Sequence, residues 1–459
     1  MATAEFGADR AAELEGPLRE RAEQISRVHA ALVDGDDGVG PVESGIPMPS
    51  VESCATAAEL IKTIRRLDPE LSAWAWTALP ARDNDDSLPR SSGTLDGWAV
   101  GVKDVIDVAG MPTRCGSALT PPAPAASDAP VVTRLRAAGA AILGKTRCTE
   151  WALNDPGPTR NPWSTDRTPG GSSSGSAVAV ATRMCMATVD TQTAGDVLRP
   201  AAYNGVVGFK PTFGWTPTDG THRVAPTIDT IGVMGARVDD VATIATAVAN
   251  DPGAFSGSGS AASPRLAVAD DPFFTPVNPT MKSHLEVVVQ HWREAGARVS
   301  RLSSPVDLSL LHAAHRVICF AECAVEHALR YPAQRGGYGP RARELLDLGR
   351  ITPAWSYLAA QGVRRRLARH LERVFEHLDV LVVPVTPEPA PTGETTGDSR
   401  WQIPWTLCGF PVLALPAGLT SGLPIAVQLV GGPYRDADLL ATGRWCEAVL
   451  GERCGHPAT

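Results

Sequence analysis

Between Pro169 and Thr182 the chain reads Pro-Gly-Gly-Ser-Ser-Ser-Gly-Ser-Ala and then Val-Ala-Val-Ala-Thr. No other stretch constrains the fold as much. Residues this small, feeding straight into an apolar run, predict a loop that opens a helix packed too closely for large side chains. On the residues alone three readings of the loop compete. Free N–H groups at a helix start bind anions, so it can be a phosphate cradle. A P-loop, however, needs Lys then Ser/Thr after its last glycine, and here Ser176 and Ala177 follow Gly175. A dinucleotide fingerprint fails too, because no GxGxxG appears and no clear strand precedes it. The third reading is a flexible linker, which does not normally lead directly into an apolar helix.

Around this segment strands alternate with helices. Short buried strands are predicted at 98–103, 141–144, 266–269, 380–383 and 425–429, and helices at 129–138, 238–249, 279–295, 311–330 and 352–377. Such alternation argues for α/β layers around a mostly buried sheet. Polar Gly/Pro/Ser-rich loops are predicted at 33–50, 119–130, 251–264 and 386–400. Residues 1–50 therefore read as a charged N-terminal helix and loop, and 51–459 as the main domain.

Hydrophobic residues make up 43% of the 459, enough for a large core. The net charge of −8 comes with no basic stripe to neutralise phosphates, so nucleic acid is not an expected partner. Nor is a membrane: no secretory h-region is present, and no apolar run approaches the roughly 20 residues that cross a bilayer. The nine cysteines are scattered without a CxxC pair, which fits reduced thiols in the cytoplasm better than disulfides or zinc. Cys319 and Cys323 read as small residues on a buried helix face. His312 and His315 can reach one ligand, but read first as partly buried helix residues. Tyr331, Tyr338, Trp355 and Tyr357 can line a pocket, with core packing as the default. Arg364-Arg365-Arg366 reads as a solvated helix face.

Four motifs in order then identify a relationship. Val100-Gly101-Val102-Lys103-Asp104, Thr159-Arg160-Asn161-Pro162-Trp163 with Pro169-Gly170-Gly171-Ser172-Ser173-Ser174-Gly175, Pro200-Ala201-Ala202-Tyr203-Asn204-Gly205, and Gly409-Phe410-Pro411 with the segments after it resemble the amidase-signature family. The resemblance covers about residues 50 to 450. It implies an α/β fold, a single three-layer α/β/α sandwich on a large mixed sheet, with a variable, substrate-shaping region at about 265–370. It also implies a small-molecule substrate and no cofactor or metal, and a homodimer is compatible with the N-terminal helix.

Enzymes of this resemblance use a neutral lysine, a bridging serine and a second, nucleophilic serine, with backbone N–H groups as the oxyanion hole. Carried over, Lys103 takes the lysine position and Ser172 the bridging serine. Gln192, Thr193, Ala194, Gly195 and Ser173 fall around the oxyanion and substrate. The nucleophile position holds Asp196, within Thr191-Gln192-Thr193-Ala194-Gly195-Asp196-Val197-Leu198. The family's acidic residue becomes Gln192, one glycine Ala194 and the arginine Leu198. A carboxylate about 4 Å from Lys103 would favour the ammonium by on the order of 4 kcal/mol at an effective dielectric near 20. Serine hydrolysis would then be lost, because an ammonium has no lone pair to act as base. Three functions follow as expectations. The first is an enzyme running altered acid–base chemistry on a small acyl or amide compound through Lys103, Ser172 and Asp196. The second is a silent binding or scaffold protein, and the third is an amide hydrolase attacking from Ser172 or Ser173.

Overall fold

The computed structural model describes Arg19 and residues 57–79, 92–255, 263–270, 274 and 279–451. The expected helix within residues 1–30 and the loop at 33–50 lie outside the described residues, apart from Arg19.

Strand β2 (Ala99–Lys103) is buried at every residue, as a strand inside a parallel sheet must be. β3 (Ala141–Thr146) and β4 (Ala187–Gln192) flank it, both parallel to it. β1 (Trp74–Thr77) closes that edge, antiparallel to β3. Beyond β4 lie the antiparallel β6 (Thr230–Gly235) and β5 (Val207–Lys210), then the hairpin of β10 (Val412–Thr420) and β11 (Leu423–Val430). β9 (Val380–Pro384), β7 (Arg265–Ala269) and β8 (Arg298–Leu302) complete one mixed sheet of 11 strands. Its order is β1-β3-β2-β4-β6-β5-β10-β11-β9-β7-β8.

Helices cover this sheet as the α/β reading required. The Ser174–Ala181 helix packs on β2 and β4, and the Val238–Val248 helix on β6. Their sequences explain the closeness. At Gly175 a Cβ would collide with the Ala73 carbonyl, so only hydrogen fits there. The helices Pro340–Arg350 and Ala354–Glu372 each pack on the helix Leu308–Glu326. Of the three, Leu308–Glu326 comes first in the chain. The first starts where the Asp307 carboxylate accepts from the N–H groups of Ser309 and Leu310. It is long and apolar enough to cross a membrane by length and composition, with mean hydropathy 1.3, but 72% of that window is buried inside the molecule. Hence it is a core helix, and His312, His315, Arg316 and Glu322 interrupt its apolar surface.

The predicted strands and helices are present with boundaries shifted by a few residues. The expected 352–377 helix ends at Glu372 and tightens into a 3-10 turn, Arg373–Glu376. The pattern reading missed β1, β4, β5, β6, β8 and β10. In β4 the run Ala-Thr-Val-Asp-Thr-Gln is fully buried, so its polar residues break any apolar signature. Cys319 and Cys323 are free, buried thiols, and among the described residues no group of three or more His, Cys, Asp or Glu could hold a metal ion.

Candidate active site

Parallel pairing of β2 with β4 brings Lys103 and Thr191 to the same end of the sheet. The loop before the Ser174–Ala181 helix comes to the same place, and it contains a cis peptide between Gly171 and Ser172. The Ser172 carbonyl accepts from the Thr149 N–H at 3.1 Å. Fully buried Lys103 thus sets its Nζ 2.7 Å from Ser172 Oγ and 3.1 Å from both the carbonyl and the hydroxyl oxygen of Thr191. Three acceptors suit the three protons of an ammonium, while either hydroxyl can instead donate to a neutral amine. The contact set therefore serves a proton-transfer pair.

Asp196 behaves differently from the sequence expectation. No ion pair joins it to Lys103 among the described residues, so the expected lysine–carboxylate contact is corrected. Its Oδ2 accepts instead from the N–H groups of Thr193 at 3.0 Å and Ala194 at 2.8 Å, and its Oδ1 from the Ser172 N–H at 3.2 Å. The physical reason is local. Successive backbone N–H groups in a tight turn form an anion nest, and a carboxylate two residues on falls into it. Bonds from neutral donors to a charged acceptor are worth roughly 1.5–3 kcal/mol each, so the nest holds this carboxylate firmly. The Ser173 N–H adds a bond to the Asp196 carbonyl at 3.3 Å. Thr193 and Ala194 are therefore the donors of the nest, and Gly195 lets the turn pass against the Gln402 side chain.

Gln192 requires a second correction, because its side chain frames the loop from beneath rather than facing a substrate. Its Oε1 accepts from the N–H groups of Val197 at 2.9 Å and Leu198 at 3.1 Å, and its Nε2 donates to Thr406 Oγ1 at 2.9 Å. It thereby satisfies free donors at the start of the Leu198–Asn204 helix. Leu198 is buried, while the neighbouring Arg199 donates to the Gly171 carbonyl at 2.6 Å.

Sequence reasoning missed two carboxylates. Asp190, on β4, is completely buried; burial pushes its carboxyl up, against the pull of the Lys103 charge and of nearby hydroxyls. A lone charge in a short buried strand beside the motif was the available signal. Asp229 accepts from Thr193 Oγ1 at 2.5 Å, and burial pushes its carboxyl to about 6. His315 is a buried residue of the core helix, in line with its first reading. Its Nε2 meets the Thr193 carbonyl at 2.9 Å, and burial drives its pKa down to about 4. The core helix thus grips the nest through Thr193.

A stability consequence follows from His315. A histidine whose folded pKa lies below its ordinary 6.5 contributes stability present above 6.5 and lost as pH falls toward 4. The drop from 6.5 to about 4 corresponds to about 3 kcal/mol. His315→Gln, which can still donate to Thr193, is expected to flatten this part of the acid unfolding profile. Thermal melts of both proteins between those pH values check it, and parallel curves would refute it.

The fold thus sets a buried lysine against a serine, beside a backbone anion nest, at the end of neighbouring strands. Comparisons with known proteins then identify the family. Residues 52–440 match the family model described as Amidase. A glutamyl-tRNA(Gln) amidotransferase subunit of Symbiobacterium thermophilum is 36% identical over 417 residues, covering 80% of this chain and 85% of the relative. Among solved structures, one described as a crystal structure of amidase superposes with a TM-score of 0.77 at 29% identity, covering 86% of this chain and 97% of the other. The native peptide amidase of Stenotrophomonas maltophilia gives a TM-score of 0.74 at 28% identity, covering 88% and 95%. This chain belongs to the amidase family, and the relatives it matches are enzymes.

Proposed function

We propose that this chain is an amidase-family enzyme acting on a small acyl- or amide-containing molecule by acid–base chemistry other than serine hydrolysis. The observation that carries this reading is the Asp196 carboxylate lodged on the N–H groups of Thr193, Ala194 and Ser172. Position 196 offers no hydroxyl to attack a carbonyl, and the donors an oxyanion would need already hold an anion. The Lys103–Ser172 pair survives beside it, so a proton can pass between the two and a bound substrate. Asp196 acts as a fixed negative charge that favours a cationic or N–H-bearing group nearby. Cyclisation, condensation, elimination and rearrangement all fit.

Incubating the protein with a panel of small amides and following masses tests this. Products formed without gain of water, and lost in Ser172→Ala and Lys103→Ala, are expected. Products that gain water, or rates unchanged in both variants, would sink the reading.

One observation favours a second reading, hydrolysis from Ser172: its Oγ lies 2.7 Å from the buried lysine, as a nucleophile beside its base would. Fluorophosphonate labelling of Ser172 in the unmodified protein would establish it. The proposed function expects none.

A further inference from the structure

The small-residue loop that carries Ser172 also borders a cleft that the proposed chemistry does not use. Residues 156–160 and 165–170, Ser174 and residues 393–395 enclose a polar space of about 350 Å³. Pockets for small ligands run from about 300 to 1,000 Å³, so this one is large enough. Lys103, Ser172 and Asp196 do not line it. Gly170 and Ser174 do, two residues to either side of Ser172. The walls are tied together. The Thr168 N–H donates to the Pro391 carbonyl at 2.9 Å, and the Thr168 hydroxyl to the Thr395 carbonyl.

Its donors point to an anion. The Ser174–Ala181 helix begins at the cleft, and no side chain caps its start. There the Gly175 N–H is held by the Arg147 carbonyl at 3.0 Å, but the Ser174 N–H meets no acceptor among the described residues. Ser174 is 4% exposed, and its hydroxyl also has no hydrogen-bond partner among the described residues. Buried polar groups are rarely left so. Arg160 and Arg167 line the same cleft. Each donates to a backbone carbonyl, Arg160 to Thr165 at 3.4 Å and Arg167 to Ala390 at 3.0 Å. Neither has a carboxylate partner among the described residues, and a guanidinium with five N–H donors keeps most of them free. A third, Arg341, donates to the Glu394 carbonyl at 2.7 Å. The two acids of the walls, Asp166 and Glu394, are exposed to water, and Asp166 is engaged by the Ser164 hydroxyl.

A helix start, a buried hydroxyl and two unpaired guanidinium groups in one cleft match a compact anion with several acceptor oxygens. We propose that this cleft is a second ligand site, taking a phosphate group, either free or on a small phosphomonoester. The phosphate lies on the Ser174 N–H and hydroxyl, between Arg160 and Arg167, and the rest of the cleft takes the remainder of an ester. The two arginines thus supply the charge that a P-loop takes from its lysine. Because Gly170 and Ser174 bracket Ser172, an occupied cleft also fastens the loop on which the Lys103–Ser172 pair depends. The site stands apart from the proposed function and does not rest on it.

Isothermal titration of the full chain near pH 7 tests the site without requiring turnover. The probes are inorganic phosphate and glycerol 3-phosphate, with acetate and glycerol as controls. At least one phosphate is expected to bind with a dissociation constant of about 1 mM or tighter, and both controls roughly ten-fold or more weakly than it. Arg160→Gln, at an exposed residue, and Ser174→Ala are each expected to weaken that binding about ten-fold, whereas Ser172→Ala leaves it unchanged. Tighter binding of the ester supports the site with a phosphorylated small molecule as its ligand, and tighter binding of free phosphate supports it with phosphate itself. No binding by either phosphate, acetate binding as tightly, or an affinity unaltered in both Arg160→Gln and Ser174→Ala would overturn the proposal. Loss of binding in Ser172→Ala would do so too, because it would put the anion at the reactive pair.

Discussion

Asp196→Ser is expected to turn this chain into a hydrolase of simple amides. The substitution does two things at once. It removes the anion from the N–H groups of Thr193, Ala194 and Ser172, and it places a hydroxyl beside the Lys103–Ser172 pair. A single oxyanion donor is worth on the order of a hundredfold to a thousandfold in turnover, so freeing several gives an increase of at least that order. Ammonia release from a panel of primary amides is the measurement. Asp196→Ala separates the two effects, since it vacates the nest without supplying a nucleophile. Equal gains in both variants would make Ser172 the attacking group, and no gain in either would remove the nest from its assigned role.

Lys103→Met is expected to have the largest effect on stability and to abolish turnover. Lys103 is fully buried, and its charge is the first favourable influence on the equally buried Asp190 carboxyl. Removing a buried positive charge leaves a nearby buried carboxyl without its favourable influence, at a cost on the order of 3 kcal/mol. Asp190 already has its carboxyl raised by burial, so what it contributes to stability is complete below its ordinary value and lost as pH rises through the raised one. Loss of the lysine raises it further. The gap in melting temperature between variant and parent is therefore expected to narrow as the pH falls from neutral toward the ordinary carboxylate range. A gap independent of pH would show that Asp190 does not depend on Lys103.

Several features were legible before any coordinates. The small-residue run at 169–182 called for a tightly packed helix, and Gly175 against the Ala73 carbonyl is the reason. The apolar 98–103 segment called for a buried strand ending in a lysine, and β2 ends at Lys103. Alternating strands and helices pointed to an α/β fold, because burial on both faces of a sheet and on one face of a helix writes itself into local patterns. By contrast β4 was illegible. Its threonine Thr191 and its Gln192 find their partners in distant segments, Lys103 for the first and Thr406 for the second.

The residue types at the site, Asp196 among them, are set by the sequence alone. Only the tertiary structure decided which way the Asp196 carboxylate points. The family resemblance made Lys103 its expected partner, yet three N–H groups of the adjoining turn and loop lie within hydrogen-bond reach of its oxygens. Likewise the bond of His315 to the Thr193 carbonyl could not be read from the sequence. The two residues come from distant segments, and whether a donor is paired or orphaned depends on contacts that no local pattern records.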